Sequence, residues 1–474
     1  MPKAIMLAIC VFCAVTLESR SAFSRHRITL SPTLTLSTSY TDNVFLEDED
    51  QESSWITVVS PGVTLQAEGK TSGATLSYAP GFPSFENDEA DSISIVRHNA
   101  SFHGYKQVTK RLNLQISDTF TRTDDPFSVN ATRVGPGPNI EFLDRAGREP
   151  YYTNNINVGL VYQADKHDNL SLNYTNQIRR QREPHDVHSF SSAFTHVFGR
   201  RDVWGLYYDF REFNSRNAES EDSQSQNPAF DLSYWFTDHF GMDAGVSYTR
   251  GDFSGETSSH HDLAGNLRLI RNFTKHLDGY LRYNHTSFNA EDGDEDDYQV
   301  YDPGLGVYYA WSEDTFLDLS VGYFYQDNEI GDDQSGISVS GSAVKKWDFK
   351  RGAISATGGA GYDQDYFGAE NLGFTIYRFV ALNGFYNFTK RFNGSVSAGY
   401  RRDSYVNQDP ERIDETYDLG CGLTYIVRPW LHVRLSEHYR FLDSDDEDQN
   451  FDENRVTLSI SFLPRPWELN DQLR

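Results

Sequence analysis

The chain has 474 residues, with 42 Lys and Arg against 69 Asp and Glu, for a formal net charge of −27. That balance argues against binding nucleic acid through a basic face. Hydrophobic residues make up 38% and aromatics 14%, with 28 Tyr and 32 Phe, and no long apolar run follows the N-terminus. A bundle of spanning helices is thereby excluded, and strands apolar on one face and wet on the other are favoured.

The first residues read as an export signal. Lys3 supplies the positive start, Ala4 to Leu17 the apolar core, and Ala22-Phe23-Ser24 a small-x-small cleavage site. Residues 1–24 are therefore expected to be removed, leaving a barrel domain over 25–462 and a C-terminal tail over 463–474. Cys10 and Cys13 leave with the signal, so Cys421 stands alone and no disulfide is expected.

Strict alternation then begins. Ile28, Leu30, Leu34 and Leu36 share one face, with Thr and Ser between them. Trp55 to Ala67 returns, and Ala74, Leu76 and Tyr78 go back, with Pro80 and Pro83 expected to end that strand. Between Phe120 and Tyr151 lies a stretch too long for an ordinary connection, holding Gly135-Pro136-Gly137-Pro138 and charges of both signs. Beyond it the period of two runs to the end, as in Leu277, Gly279, Leu281, Tyr283 and in Leu419, Cys421, Leu423, Tyr425. Tyrosine at the loop end of many strands predicts an interface girdle.

A short turn recurs between strands: Phe388-Thr389-Lys390-Arg391-Phe392, Phe273-Thr274-Lys275-His276-Leu277, Val108-Thr109-Lys110-Arg111-Leu112 and Phe236-Thr237-Asp238-His239-Phe240. The opposite ends carry acidic patches, such as Glu47 to Glu52, Glu291 to Asp297 and Asp443 to Glu453. The pattern predicts an all-β, single antiparallel up-and-down transmembrane barrel of about 22 strands, with 18 to 22 compatible, short turns on one side and longer acidic loops on the other.

Mid-strand charges flanked by apolar neighbours mark the polar face as the lining of a lumen: Asp231, Asp243, Arg268, Asp278, Arg282, Asp318 and Arg434. The long stretch supplies a candidate constriction loop through Asp124, Asp125, Arg133, Glu141, Asp144, Arg145, Arg148 and Glu149, since charges of both signs on an inward loop set width and selectivity. The last strand presents Val456, Leu458, Ile460 and Phe462 on one face, a terminal aromatic strand of the type read by outer-membrane assembly machinery.

No catalytic motif is present, neither a Gly-x-Ser-x-Gly elbow nor His-Glu-x-x-His, and no enzyme or cofactor is expected. His260 and His261 near Asp262 are too few and too close for a metal site. Asp292, Asp294, Asp296 and Asp297 lack the glycine and distal glutamate of a calcium loop, so solvated acidic loops are the simpler reading, with cation bridging to lipopolysaccharide the sharper one.

Two stretches, Ser39-Tyr40-Thr41-Asp42-Asn43-Val44-Phe45-Leu46 and Gly147-Arg148-Glu149-Pro150-Tyr151, resemble the putative beta-barrel porin family. The resemblance implies an outer-membrane barrel of a Gram-negative bacterium, of a kind often associated with exopolysaccharide export. The expected partners are then outer-membrane lipid and lipopolysaccharide, the assembly machinery, and an exopolysaccharide or its export apparatus. Two other readings stay open: a structural or binding barrel with a closed lumen and acidic surface loops, and a secreted soluble all-β protein recoverable without detergent.

Overall fold

The computed structural model describes residues 27–92, 94–125, 148, 150–180, 184–216, 221–255, 259–291, 297–312, 315–329, 333–345, 351–365, 373–405, 412–446 and 450–469. The expected signal, the acidic residues Asp292, Asp294 and Asp296, and the end of the tail lie outside these. Among the described residues no helix is long and apolar enough to cross a membrane.

Twenty-two long strands, β1 (Arg27–Thr41) through β22 (Phe451–Phe462), pair antiparallel, each with its chain neighbours. The ring closes where β1 pairs with β22 from Leu34↔Phe462 to Thr41↔Arg455. Thr35 and Ser39 share side-chain hydrogen bonds with Ser461 (3.2 Å) and Thr457 (2.9 Å) across this seam. A two-residue strand, β23 (Trp467–Glu468), lies within the expected tail and pairs with Thr29 and Leu30, so part of that tail belongs to the wall. An ion pair between Arg27 and Glu468 accompanies it.

The recurring turn has a common cause. Thr389 Oγ1 accepts from the N–H groups of Arg391 (3.1 Å) and Phe392 (3.0 Å). Thr109 does the same for Arg111 and Leu112, and Thr237 for His239 and Phe240. A threonine hydroxyl thus replaces the missing ladder partner and reverses the chain in three residues.

Alternation sets the two surfaces. Leu281 (61% exposed), Leu305 (63%) and Leu206 (51%) face outward, and the residues beside them face the interior. Aromatic pairs bound the apolar band, Tyr40–Trp55 and Tyr400–Tyr417 on the loop side, Phe388–Phe392 and Phe236–Phe240 on the turn side. A closed wall with an apolar, girdled exterior and a polar interior is the architecture of a transmembrane barrel.

Two local expectations need correction. The third strand does not stop at Pro80 or Pro83; β3 (Ser72–Phe85) runs through both. Its ladder to β2 (Ser54–Glu68) is broken only between Val59↔Phe82 and Val63↔Tyr78, where Pro61 and Pro80 lack N–H donors, while Pro83 stays in register with Val58. The loop after β3 also holds a short helix, α1 (Asp88–Ser92), capped by Asn87, whose Oδ1 accepts from Glu89 and Ala90 N–H.

Among the described residues the outer face carries carboxylates inside the apolar band, Asp118, opposite Phe102 and Ile156, being one and Glu437 another. Glu437 lies between Leu435 and Tyr439 on β21 (Leu431–Ser444), exposed, with Cys421 Sγ 3.8 Å away. Glu437→Leu is expected to stabilise the barrel by on the order of 1 kcal/mol in lipid. Denaturant unfolding from bilayers would show a higher midpoint; a lower one would mean that the carboxylate has a partner.

Candidate functional site

All seven expected lumen charges lie on inward faces, and several are neutralised in place. Arg282 on β13 (Leu277–Ala290) reaches Asp302 Oδ2 at 2.6 Å and Ser338 Oγ at 2.6 Å, and Ser338 donates to Asp302 at 2.6 Å. Arg268 sits directly across from Arg282 in the β12–β13 register. That like-charge pairing is tolerated because Arg268 turns onto the Tyr280 ring, 3.7 Å away, while Tyr280 donates to Asp318 at 2.8 Å. Asp243 accepts from Ser233 at 2.6 Å. Asp231 and Arg434 stand exposed, and Asp278 is partly buried. Asp302, which Pro303 and Gly304 follow in the chain, was not among the expected charges.

Of the expected constriction loop, Asp124, Asp125 and Arg148 are described; Arg133, Glu141, Asp144, Arg145 and Glu149 lie outside the described residues. The three described residues form a buried knot. Asp124 takes Arg97 Nε at 2.6 Å and faces Arg148 Nη1 at 3.6 Å, and Asp125 takes Arg455 Nη1 at 3.1 Å. Arg455 also holds Glu453 at 2.9 Å, and Glu453 accepts from Thr41 Oγ1 at 2.5 Å. The knot therefore ties together β1, β4 (Arg97–Gln107), the end of β5 (Leu112–Thr123) and β22. Burial raises the Asp125 carboxyl, but Arg455, Arg97 and Arg148 outweigh it and hold it well below the usual carboxylate range. Burial lowers the Arg148 guanidinium to about 10 although Asp125 and Asp124 oppose this.

The same knot holds a loop that folds into the barrel. Thr41 at the end of β1 and Asn43 and Val44 after it are fully buried, and Leu46 nearly so. Val44 packs with Ile56, Phe85 and Ala90, and Leu46 with Leu442 and Phe451, all on inward faces or on α1. Leu46 adopts φ 62°, a region costly for leucine that its packing offsets. Asn43 Nδ2 donates to the carbonyls of Glu47 (2.6 Å) and Asp452 (2.8 Å). Arg148 Nε donates to the Val44 carbonyl at 2.9 Å, and its guanidinium lies 5.0 Å from the Phe85 ring centre. Val44 and Arg148, one from each of the two stretches that carried the family resemblance, thus meet at one inward-folded site.

A second inward element was not anticipated. β16 (Gln334–Lys345) pairs with β17 (Gly352–Asp365) only from Val339↔Ala360 to Lys345↔Ile354. β17 and β18 (Gly373–Asn387) stay paired to Asp365↔Gly373, and β18 stays paired to the next strand as far as Thr375↔Tyr405, so above Ala360 the hairpin parts from β16 and curls inward along that edge. By alternation Tyr362, Phe374 and Ile376 continue the face that carries Ile354, Val380 and Leu382 outward. Yet the Tyr362 ring lies 5.1 Å from Phe324, and Phe374 lies 6.3 Å from Phe324 and 6.0 Å from Tyr298. Phe324 and Tyr298 are inward-facing wall residues, so the hairpin end has passed inside and lays its outer face against the inner wall. Phe288, Tyr298, Val300, Phe324 and Phe374 form the resulting buried cluster. On the other face Tyr377 meets Arg401, 5.0 Å from its ring centre, and Arg401 is held by Asp403 at 2.7 Å. The bend falls at Gly358-Gly359-Ala360-Gly361; a Cβ on Gly359 would come within 2.9 Å of the Phe379 ring.

These two elements narrow the loop side of the lumen from roughly opposite sectors of the ring, β1 and β22 on one side and β13 to β15 on the other. The histidine pair is divided by the sheet: His260 packs between the Phe253 and Phe288 rings, while His261 stands on the opposite face beside Tyr248. Val456, Leu458 and Phe462 of the terminal strand are exposed on the outer face.

Comparison with known proteins agrees with this architecture. The siderophore receptor PirA of Acinetobacter baumannii is 9% identical, with 91% of this chain covering 80% of that one at a TM-score of 0.54. A ferric enterobactin receptor mutant (PfeA) of Pseudomonas aeruginosa gives 9%, 91%, 80% and 0.53. The alcaligin receptor FauA of Bordetella pertussis gives 11%, 90%, 76% and 0.51. At such identities the likeness is one of fold. No curated protein matches the sequence. The family model described as Putative beta-barrel porin 2 matches residues 318–462, from β15 (Thr315–Asn328) through β22, a span that includes the inward hairpin and leaves out both stretches of the resemblance. The molecule is an outer-membrane-type β-barrel whose second part is similar to the putative beta-barrel porin 2 family.

Proposed function

We propose that this protein is an outer-membrane channel for hydrophilic solutes, narrowed at its loop-side mouth, with an exopolysaccharide as the cargo class. The observation that carries the reading is the inner wall, where charges such as Arg282, Asp302 and Asp318 face the lumen along a closed barrel. A polar, hydrogen-bonding lining suits water and hydroxyl-rich solutes, and inward elements set the bore. The family match supports a porin role, and the association of that family with exopolysaccharide export suggests the cargo. Transport rather than catalysis, export by a cleaved signal, and insertion through a terminal strand read by the assembly machinery are parts of the same proposal.

Planar-bilayer conductance of the detergent-purified mature protein tests it. Discrete current steps that scale with salt are expected, with a preference for cations drawn by the acidic loops. A silent bilayer from protein that is folded and heat-modifiable would overturn the channel and favour a closed binding barrel.

A further inference from the structure

Like charges directly opposite one another on neighbouring strands repel. On the outer face at the loop-side rim, β18 sets Arg378 directly across from Arg402 of β19 (Phe392–Tyr405). Arg402 Nη1 is held by Glu415 at 2.7 Å. Arg378 is exposed and has no carboxylate partner among the described residues. Two facing guanidiniums thus have one carboxylate among the described residues, the one on Arg402, at a rim where a second anion would relieve them.

The surroundings fit an amphiphile. Ala360, on the other side of Arg378, is the last residue at which β17 keeps its pairing with β16. The wall steps inward there and leaves a notch whose far side carries Ile337, 63% exposed. Beneath the arginines on the same face, Val380 (52%), Leu382 (41%) and Val396 (54%) form an exposed apolar column. The Tyr400–Tyr417 pair of the girdle lies beside it, so the arginines stand at headgroup level. The guanidinium fork matches phosphate oxygens, and the column matches acyl chains. Long loops face outward from the cell in bacterial barrels, which makes the adjoining leaflet the outer one.

We propose that Arg378 and Arg402 bind the phosphate of a phosphorylated outer-leaflet lipid, whose chains run down the column of Val380, Leu382 and Val396. The site does not depend on the channel reading.

The test is native mass spectrometry of the full chain in detergent with synthetic diphosphorylated lipid A, its dephosphorylated counterpart, and inorganic phosphate as competitor. Preferential retention of the phosphorylated lipid is expected, falling about ten-fold in Arg378→Glu and less in Arg378→Lys. Arg250→Glu serves as control, since Asp252 and Glu291 already hold that guanidinium, and it should retain the lipid normally. Equal retention of both lipids by the unaltered protein would overturn the proposal, as would full retention by heat-modifiable Arg378→Glu. Displacement of the lipid by millimolar inorganic phosphate would overturn it too, by showing a free-anion site. The comparison of the two lipids needs no variant, so it stands even if a substitution prevents folding.

Discussion

Cutting back the β17–β18 hairpin, by joining Ala360 to Arg378 through a short glycine turn, is expected to raise single-channel conductance roughly two-fold or more. The expectation follows from where the hairpin end lies. It occupies the loop side of the lumen, held by Tyr362, Phe374 and the wall residues Phe324 and Tyr298. Trimming single aromatics should give a milder form of the same result. Phe374→Ala removes a buried ring at a cost of about 3–5 kcal/mol, and Tyr362→Ala a half-buried one at a smaller cost, enough to let the hairpin end part from Phe324 and Tyr298 intermittently. The current should then flicker between a low and a high level. A short thiol cross-linker between cysteines placed at 324 and 362, in a Cys421→Ser background, should hold the low level. Unchanged conductance after the hairpin is cut back would show that the bore is set elsewhere.

Arg148→Ala is expected to do the second largest damage, this time to the other side of the mouth. The substitution removes the donor to the Val44 carbonyl, the cation over Phe85 and a partner of Asp124. Breaking a buried charge arrangement by deleting one member costs about 3–5 kcal/mol, felt locally as release of the loop after β1. Lysine at 148 should recover only part of the loss, because it cannot make the same directed contacts. Hydrogen exchange at Asn43 to Leu46 would report the release, and protection as in the unaltered protein would refute it. Asp125→Asn should loosen the same knot by leaving Arg455 short of a charge. Acid would mimic it only at low pH. Because the folded carboxyl of Asp125 lies below its unfolded value of about 3.9, its contribution is complete above that pH and is lost as pH falls toward the folded value. Exchange at these residues should therefore stay slow from neutrality to about pH 4.

Most of the barrel was legible because its cause is local. Period-two alternation, a threonine turn and a tyrosine at the loop end each act within a few residues, and together they gave the strand number and the inward charges. Arg282 and Asp318 could be assigned to the lumen from their apolar neighbours alone. The hairpin was not legible for a related reason. Tyr362, Phe374 and Ile376 alternate in phase with Ile354, Val380 and Leu382, and alternation says which residues share a face, not what the face meets. Only the run Gly358-Gly359-Ala360-Gly361 hinted at a bend. The knot around Asp125 was half visible: its acids and Arg148 stood out as a mixed-charge segment, whereas Arg97 and Arg455 come from strands remote in sequence. The stretch from Thr41 to Leu46 was noticed as a motif without its physical meaning, which is an asparagine and two aliphatics folded into the interior.

The short strand of Trp467 and Glu468 bears on the order in which the molecule is built. β1 is paired with β22 only from Leu34 onward, and its lower part meets β23 instead. Ring closure is therefore a two-stage event: the last long strand zips the upper half of the seam, and residues beyond it cover the hydrogen-bonding edge left near Thr29 and Leu30. A nascent chain lacking those residues would carry an open edge next to the turn side, able to pair with a second unfinished barrel. Strands separated by more than four hundred positions thus act together as a clasp on the seam.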